Sequence, residues 1–276
     1  MSRFVVFDCD GTLVDGQEAI CETMELAFAN AGLVAPERNK VRRIVGLSLP
    51  YALRELAPEA SDDQRHAVVE AYKLGYRDLR LSGALREPLF EGIAALIDEL
   101  DAEGRLLGVA TGKSDRGLHA CLDTHGIKHR FVSLQTADRH PSKPHPAMLE
   151  AALDDAGVSP ADAVMIGDTS FDMEMAVAAG VRAIGVSWGY HEPQELFDTG
   201  ASAVAETAQH LGDLKARFLT IQAVRLSGVA LAVLGALVLG QILPLPEFVG
   251  YIFLALGAVD VFILPIFLAK RWRSVE

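Results

Sequence analysis

The sequence predicts an α/β protein with a parallel sheet, an inserted helical module and a C-terminal membrane-spanning pair of helices. Three observations support this prediction. Short, nearly continuous apolar runs alternate with helical patterns over the first 214 of 276 residues, which is typical of βαβ units whose sheet is covered on both faces. Residues 16–84 interrupt the alternation with a wholly helical pattern. Two long apolar stretches follow residue 220.

The strands of the sheet are predicted from five short apolar runs: 4–7, 106–110, 131–134, 163–166 and 183–186. Helical patterns such as 92–103 and 146–156 lie between them. A run of this length bounded by turn residues fits a strand that is buried on both faces. The α/β core is therefore predicted to comprise residues 1–15 and 85–214.

The segment between the first two strands is too long for a single crossover helix. Its apolar spacing predicts four helices, over 18–32, 39–45, 50–56 and 61–81. We therefore expect residues 16–84 to form a helical cap inserted into the core.

The C-terminal region predicts a transmembrane hairpin over residues 221–270. Residues 226–246 contain no charged side chain, and residues 248–269 contain only Asp260. Because a helix needs about 20 apolar residues to cross a bilayer, spans are predicted at about 226–243 and 248–269. The alternative is a buried helical pair within a soluble domain.

Basic residues flank both predicted spans: Lys215, Arg217, Arg225, Lys270, Arg271 and Arg273. Since such residues stay on the cytoplasmic side, both termini are predicted to lie inside, with the catalytic region anchored at the cytoplasmic membrane. Small residues recur every four positions at Gly228, Ala232, Ala236 and Gly240. This spacing predicts close helix packing, either within the hairpin or with a second copy of the chain in a homo-oligomer.

Composition and charge exclude several classes of protein. The formal net charge of −12 argues against nucleic-acid binding, which relies on basic surfaces. The three cysteines form no CxxC pair and cannot all be bridged to one another, so a disulfide scaffold is not indicated and a reducing compartment fits better. The N-terminal apolar run, 4–7, is too short for the core of a signal peptide.

The end of the first predicted strand carries Asp8, Asp10 and Gly11. In an open α/β sheet, ligands bind beyond the carboxyl ends of the strands. Two carboxylates so close together repel each other unless a cation or the chemistry needs both, and hard oxygen ligands of this kind suit Mg²⁺. Gly11 allows a sharp backbone turn whose amides can face an anion.

Polar residues also follow the later strands. Thr111 and Gly112 come after the second strand, Lys143 follows the third, and Asp168 and Asp172 follow the fourth. A hydroxyl and an ammonium suit the oxygens of a phosphate group, whereas two further carboxylates suit a metal ion. Four successive strand ends thus carry an acid, a hydroxyl, a cation and an acid.

These motifs, together with their order, resemble the four motifs of the haloacid dehalogenase superfamily. The resemblance covers about residues 3–212 and implies a Rossmann-like core. The insertion after the first motif is similar to the cap of the phosphoglycolate phosphatase-like branch. In that cap, Arg43 and Gly46 are candidates for selecting the substrate.

The resemblance implies a phosphoric monoester hydrolase with Mg²⁺ as its cofactor and a small-molecule phosphate ester as its substrate, phosphoglycolate being the first candidate. Asp8 would attack phosphorus to form an aspartyl-phosphate, and Asp10 would act as general acid and then base. The metal ligands would be Asp8, the backbone carbonyl of Asp10, and Asp168. Asp172 would contribute to the metal site through water or would orient Lys143. Thr111, Gly112 and Lys143 would bind the phosphoryl group.

Several alternatives stay open at this point. Asp10 favours a phosphatase over a dehalogenase, because a departing halide needs no proton whereas an alkoxide does. Cleavage of a phosphonate would need a Schiff-base lysine in the cap, for which Lys40 and Lys73 are present. A phosphomutase is neither indicated nor excluded. The last alternative is a membrane-anchored regulatory or interaction protein with a vestigial site, although every motif residue is present.

Overall fold

A computed structural model describes residues 3–264 of the chain, except for the side chains of residues 213–223 and 225. The chain divides into two compact units, Met1–His210 and Leu211–Glu276. Each unit is described by itself.

The first unit contains a six-stranded sheet with the order β3-β2-β1-β4-β5-β6, in which every neighbouring pair is parallel. The strands are β1 (Phe4–Phe7), β2 (Leu106–Thr111), β3 (Ser133–Thr136), β4 (Ala163–Gly167), β5 (Arg182–Val186) and β6 (Ala201–Ala205). This arrangement confirms the α/β prediction. Phe7 is level with Val109 on one side and Ile166 on the other, so the carboxyl ends of the three central strands lie together.

Two strands depart from the sequence prediction. Strand β3 begins two residues later than the predicted run 131–134, because the apolar Phe131 and Val132 precede the residues that pair with β2. Strand β6 was not predicted, because Ala201–Ala205 is composed almost entirely of small residues. It lies at the edge of the sheet and pairs only with β5, where few large apolar side chains are needed.

Helices cover the sheet and bury an apolar core. They are α5 (Ile93–Ala102), α6 (Asp115–Thr124), α7 (Ala147–Ala156), α8 (Ser170–Ala178) and α9 (Pro193–Asp198). Phe4 and Met165 from the strands pack with Met148 from α7 and Met173 from α8, and all four are fully buried. Burial of such side chains contributes about 1.5–3 kcal/mol each, so the strand ends rest on a rigid base.

The first four of the five helices between β1 and β2 form a group: α1 (Gln17–Asn30), α2 (Arg38–Arg43), α3 (Leu49–Leu56) and α4 (Asp62–Leu81). They have an apolar core of their own, which includes Met24, Phe28, Leu53 and Val68. Helix α4 begins with a capping box, in which Ser61 and Gln64 satisfy each other's backbone N–H groups. These helices belong to the same compact unit as the sheet. We call them the cap; its predicted boundaries, 16–84, stay a prediction.

The second unit contains most of α10 (Ala208–Leu239), followed by α11 (Glu247–Ala258) and a π-helical turn, Val259–Ile263. Among the described residues, no helix is both long enough and apolar enough to cross a membrane. The predicted transmembrane hairpin is therefore not supported. Helix α11, which begins one residue before the second predicted span, has 12 residues, and the π-helical turn follows it directly. Residues 265–269 of that span lie outside the described residues, and the predicted membrane location stays a prediction.

Helices α10 and α11 pack closely through small residues. A Cβ atom added to Gly228 would lie 2.8 Å from the carbonyl oxygen of Gly257, and one added to Gly235 would lie 2.8 Å from that of Gly250. Ala232 also faces α11, because a Cβ on Gly257 would come within 3.2 Å of its Cβ. The residues of α10 that contact α11 are therefore spaced by four and then by three positions, from Gly228 to Ala232 to Gly235. This spacing follows the 3.6-residue helical repeat, whereas the prediction assumed a constant spacing of four.

Candidate active site

Three carboxylates meet at the carboxyl ends of the two central strands. Asp8 follows β1, Asp168 follows β4, and Asp172 lies in the first turn of α8; all three are fully buried. Each offers an oxygen atom, and these atoms lie within 4.8 Å of one another. Neighbouring parallel strands bring their carboxyl ends together, which explains why the spacing of the motifs predicted this meeting.

Lys143 supplies the positive charge of the cluster. Its Nζ lies 2.9 Å from Asp8 Oδ1 and 2.6 Å from Asp172 Oδ1, and its side chain is completely buried. The other oxygen of Asp172 accepts hydrogen bonds from the hydroxyl and the backbone N–H of Thr169, which begins α8. Asp172 thus holds Lys143, as one of the two predicted roles requires.

The electrostatics of the cluster show an excess of negative charge. Burial raises the pKa of Asp8 to about 7, against the attraction of Lys143. Burial, followed by repulsion from Asp172 and Asp8, raises the pKa of Asp168. Burial disfavours the charged form of Lys143, but Asp172 and Asp8 outweigh it and raise the pKa of this lysine. Three carboxylates around one ammonium leave two negative charges without compensation, which equals the charge of a divalent cation.

The hydrogen bonding of the cluster fits such a cation. Among the described residues, Lys143 is the only side-chain partner of the Asp8 carboxylate, and Oδ2 of that carboxylate accepts no hydrogen bond, which is unfavourable for a buried charged group. Asp168 is held by the Thr12 hydroxyl at 2.8 Å and the Tyr190 backbone N–H at 2.9 Å. Gly11 has a φ of +84°, and a Cβ there would overlap the Asp168 carboxylate. Hard oxygen donors in a preformed cluster are what Mg²⁺ prefers.

Asp10 takes part in a different cluster, which contains Lys113, Glu87 and Tyr76. Lys113 Nζ lies 2.7 Å from Asp10 Oδ1 and 2.6 Å from Glu87 Oε1. The Tyr76 hydroxyl, on α4 of the cap, donates to Glu87 at 2.9 Å. Burial raises the pKa of Asp10 despite the nearby Lys113, so this carboxyl can hold a proton more readily than an exposed aspartate. The Asp10 side chain is not among the grouped oxygens of Asp8, Asp168 and Asp172.

Two of the three predicted phosphate-binding residues, Thr111 and Gly112, line a cavity, whereas Lys143 is not among its lining residues. Thr111 ends β2 and is buried, and it lines the cavity together with Gly112, Asp8 and Asp10. A Cβ on Gly112 would overlap the carbonyl oxygen of Gly46 in the cap. Only glycine therefore allows the cap loop to approach this turn so closely.

The cap candidates separate into two groups. Gly46 lines the cavity, as predicted, whereas Arg43 is not among the lining residues. The Arg43 guanidinium instead pairs with Glu195 at 2.5 Å. Of the two lysines considered for Schiff-base chemistry, Lys73 lines the cavity and pairs with Glu70, and Lys40 is not among the lining residues.

Sequence reasoning missed the partners of the predicted residues. Lys113 belongs to a turn that was noted, but nothing in its spacing indicated a contact with Asp10. Glu87 and Tyr76 lie 77 and 66 residues beyond Asp10. They come close to it only because the chain folds back onto the core through the cap. Thr12 could have been found, because it follows Gly11 directly and carries a hydroxyl next to the acidic turn.

A parallel α/β sheet whose strand ends gather carboxylates around a buried ammonium, beneath a helical cap, defines the class of site found in hydrolases that act on phosphate groups. The family model for haloacid dehalogenase-like hydrolases matches residues 5–186. The chain therefore belongs to the haloacid dehalogenase-like hydrolases, as the motifs predicted.

Curated relatives agree with this assignment. The chain is 34% identical over 215 residues to the probable phosphatase IndB of Dickeya dadantii, which covers 74% of this chain and 93% of that protein. It is 32% identical over 222 residues to a phosphoglycolate phosphatase of Rhodospirillum rubrum, which covers 77% of this chain and 90% of that protein. Together with the family, these relatives support the predicted class of enzyme, a phosphoric monoester hydrolase.

A solved structure confirms the fold. The crystal structure of a hydrolase from Pseudomonas syringae matches with a TM-score of 0.68 and covers 76% of this chain and 95% of that one. Because the identity is only 23%, the match shows the fold alone.

Proposed function

We propose that this protein is a Mg²⁺-dependent phosphatase that hydrolyses a phosphomonoester through a phosphorylated Asp8. The observation that carries the proposal is the buried carboxylate of Asp8, which faces both the cavity and the acidic cluster. Its Oδ1 is held by Lys143, whereas its Oδ2 has no hydrogen-bond partner among the described residues. A carboxylate oxygen that is left free at a cavity is available as a nucleophile.

The chain's own residues divide the reaction between the two clusters. Asp8 attacks phosphorus, and Lys143 compensates the negative charge that accumulates there. Thr111 and the Gly112 backbone N–H orient the phosphoryl group from the neighbouring strand end. Asp10 protonates the departing alkoxide, then removes a proton from the water that hydrolyses the acyl phosphate. Lys113 fixes the position of the Asp10 carboxylate throughout.

Asp8 and Asp168 are the residues that would hold Mg²⁺, and Asp172 completes the acidic cluster. When bound, the ion offsets the repulsion between the Asp8 carboxylate and the phosphate dianion. The Thr12 hydroxyl and the Tyr190 backbone N–H fix the orientation of Asp168, since supporting hydrogen bonds tune a metal ligand.

Phosphate release by the purified full-length chain tests the proposal. Activity should require Mg²⁺, disappear in EDTA and be restored poorly by Ca²⁺, whose bonds are longer and whose geometry is looser. Asp8→Asn should lower kcat/KM by at least about a thousandfold, because loss of a covalent nucleophile removes most of the catalysis. Asp123→Asn, on the exposed face of α6, is the matched control and should keep full activity.

Borohydride reduction of enzyme quenched during turnover identifies the attacking residue. It should convert residue 8 to homoserine, because reduction cleaves an acyl phosphate at its carbonyl carbon. Full activity in EDTA, or modification at another residue, would contradict the mechanism. Phosphoglycolate belongs in the first substrate panel, because one relative is named for it.

A further inference from the structure

The cap makes direct contacts with the core around the cavity. The backbone N–H of Ser48 in the cap donates to the Ser142 hydroxyl at 2.8 Å. His191 accepts a hydrogen bond at Nδ1 from the Ser170 backbone, so its Nε2 donates to the Arg43 carbonyl oxygen at 3.0 Å. With the Tyr76–Glu87 hydrogen bond, the cap is fixed to the core on several sides. The volume of the cavity is therefore its volume with the cap in contact with the core.

That cavity is large for a short phosphate ester. Its volume is about 690 Å³, and pockets of about 300–1,000 Å³ hold drug-sized ligands. A two-carbon ester bound with its phosphate over Asp8 would leave most of the lining without contact. Unused lining contributes nothing to affinity or to positioning, so the volume indicates a larger substrate.

The lining offers an apolar and aromatic wall to the body of such a substrate. Ile20 and Met24 of α1 and Leu47 of the cap loop line it. Tyr72 and Tyr76 of α4 also line it, with their rings stacked at 5.5 Å between centroids and 27° between planes. Stacked aromatic rings next to aliphatic side chains favour contact with a flat, ring-bearing group.

The lining also offers positive charge away from Asp8. Arg80 of α4 and Arg116 of α6 both line the cavity, and among the described residues neither forms an ion pair. Arg80 lies 6.0 Å from the centre of the Tyr76 ring, beside the aromatic wall. By contrast, Lys73 and Arg77 on the same helix are paired with Glu70 and Asp78. Unpaired guanidinium groups favour a carboxylate or a second phosphate.

We infer that the substrate is a phosphomonoester whose alcohol part carries an aromatic ring and a second anionic group. This inference rests on the proposed phosphatase function and defines its substrate class. The phosphate lies over Asp8, the ring lies against Tyr72 and the apolar wall, and the anionic group meets Arg80 and Arg116. Phosphoglycolate has the anionic group but no ring to pack against the aromatic wall.

Four esters of primary alcohols test the ring and the anion separately: ethyl phosphate, phosphoglycolate, benzyl phosphate and 4-carboxybenzyl phosphate. Because all four release an alkoxide from a CH₂ group, the chemical step is comparable. With the full-length protein and Mg²⁺, kcat/KM should be highest for 4-carboxybenzyl phosphate, by at least about tenfold over phosphoglycolate, since each added contact contributes on the order of a factor of ten.

Two substitutions locate the anion contact. Arg80→Gln and Arg116→Gln should each raise KM for 4-carboxybenzyl phosphate by about tenfold, since each variant loses a charge-assisted hydrogen bond to the carboxylate. They should leave benzyl phosphate within about twofold, because that ester lacks the anion. Arg54→Gln on α3 is the matched control, because Arg54 is a cap arginine outside the lining.

The outcomes separate the two proposals. Phosphoglycolate turned over as well as, or better than, 4-carboxybenzyl phosphate would overturn the substrate class and leave the phosphatase function standing. Equal losses for benzyl and 4-carboxybenzyl phosphate in the arginine variants would also overturn it. No phosphate release from any of the four esters would overturn the phosphatase function itself.

Discussion

The active site contains two buried lysines, each placed between two carboxylates, and they are built in different ways. Lys143 lies 2.9 Å from Asp8 and 2.6 Å from Asp172, and these residues lie in the segments of the core that follow β3, β1 and β4. Lys113 lies 2.7 Å from Asp10 and 2.6 Å from Glu87, and the Glu87 carboxylate also accepts a hydrogen bond from Tyr76 in the cap. The first cluster is built by the core alone, whereas the second also has a contact from the cap.

The difference assigns separate tasks to the two lysines. The Lys143 cluster includes Asp168 and carries more negative charge than its ammonium compensates, so it suits a cation and a nucleophile. The Lys113 cluster fixes Asp10, the proposed general acid. Because Tyr76 of the cap donates to Glu87 in this cluster, the cap contributes to the position of the Asp10 carboxylate. Perturbing each lysine should therefore produce different effects.

The largest effect is expected for Lys143→Met. Removing one partner of a buried ion pair destabilises a protein by about 3–5 kcal/mol, because an uncompensated charge remains. Urea unfolding should show this loss, and Mg²⁺ should recover more stability in the variant than in the wild type, because the ion replaces the missing positive charge. Lys128→Met is the matched control, since Lys128 is a surface residue paired with Asp123. An equal Mg²⁺ effect in both variants would contradict this account of the cluster.

The second-largest effect is expected in the pH dependence of metal binding at the Lys143 cluster. Burial raises the pKa of Asp8 to about 7, from about 3.9 in an unfolded chain. A raised carboxyl pKa stabilises the folded state at low pH, and this contribution is lost as the pH rises through about 7. Metal binding needs the ionised form. The increase in Tm on adding Mg²⁺ should therefore be larger at pH 8 than at pH 5.5, and Asp8→Asn should reduce that difference. An increase independent of pH in the wild type would show that Asp8 is not a ligand.

Lys113→Met should affect catalysis selectively. Without Lys113, Asp10 loses the contact that fixes it, and general acid catalysis is typically worth about 10²–10⁴ in rate. We expect kcat/KM, which reports the phosphorylation step, to fall by about tenfold or more for an alkyl phosphate and much less for p-nitrophenyl phosphate, because nitrophenolate leaves without a proton. Lys113→Arg should restore part of the alkyl phosphate activity. Equal losses for both esters would assign Lys113 a merely structural role.

Tyr76→Phe separates the contribution of the cap from that of Lys113. The substitution keeps the ring in the aromatic wall and removes the hydroxyl that donates to Glu87. It should therefore produce the same selectivity between the two esters as Lys113→Met, but with a smaller loss.

The two clusters also differ in how far the sequence could predict them. Asp8, Asp168 and Lys143 follow apolar runs that read clearly as strands, and parallel strands bring their carboxyl ends together without further information. The same reasoning placed Thr111 and Gly112 at the cavity. Glu87 and Tyr76 could not be predicted, because their position depends on how a cap of four helices returns to the core.

Other errors have similar causes. Strand β6 was missed because Ala201–Ala205 carries almost no signal of its own and depends on β5 for pairing. The ridge on α10 was placed with a constant spacing of four, whereas the helical repeat moves the contact from Ala232 to Gly235. Both features depend on tertiary contacts that a local sequence pattern does not contain. The transmembrane hairpin, inferred from hydropathy over residues 221–270, is not supported among the described residues, and its predicted membrane location stays a prediction.

The smallest effect is expected for Arg43→Gln, which tests the cap residue that the sequence singled out. Arg43 pairs with Glu195 at 2.5 Å, but both side chains are substantially exposed, at 44% and 38%. An exposed ion pair is worth about 0–1 kcal/mol, so the free energy of unfolding should change by less than about 1 kcal/mol. Because Arg43 does not line the cavity, kcat/KM for every ester should stay within about twofold of the wild type, a change below 0.5 kcal/mol by the usual conversion. Glu195→Gln should have the same small effect, and the double variant should equal either single one, since both remove the same pair. A tenfold rise in KM for Arg43→Gln, without such a rise for Glu195→Gln, would show that Arg43 contacts the substrate. It would contradict the position of Arg43 outside the cavity lining.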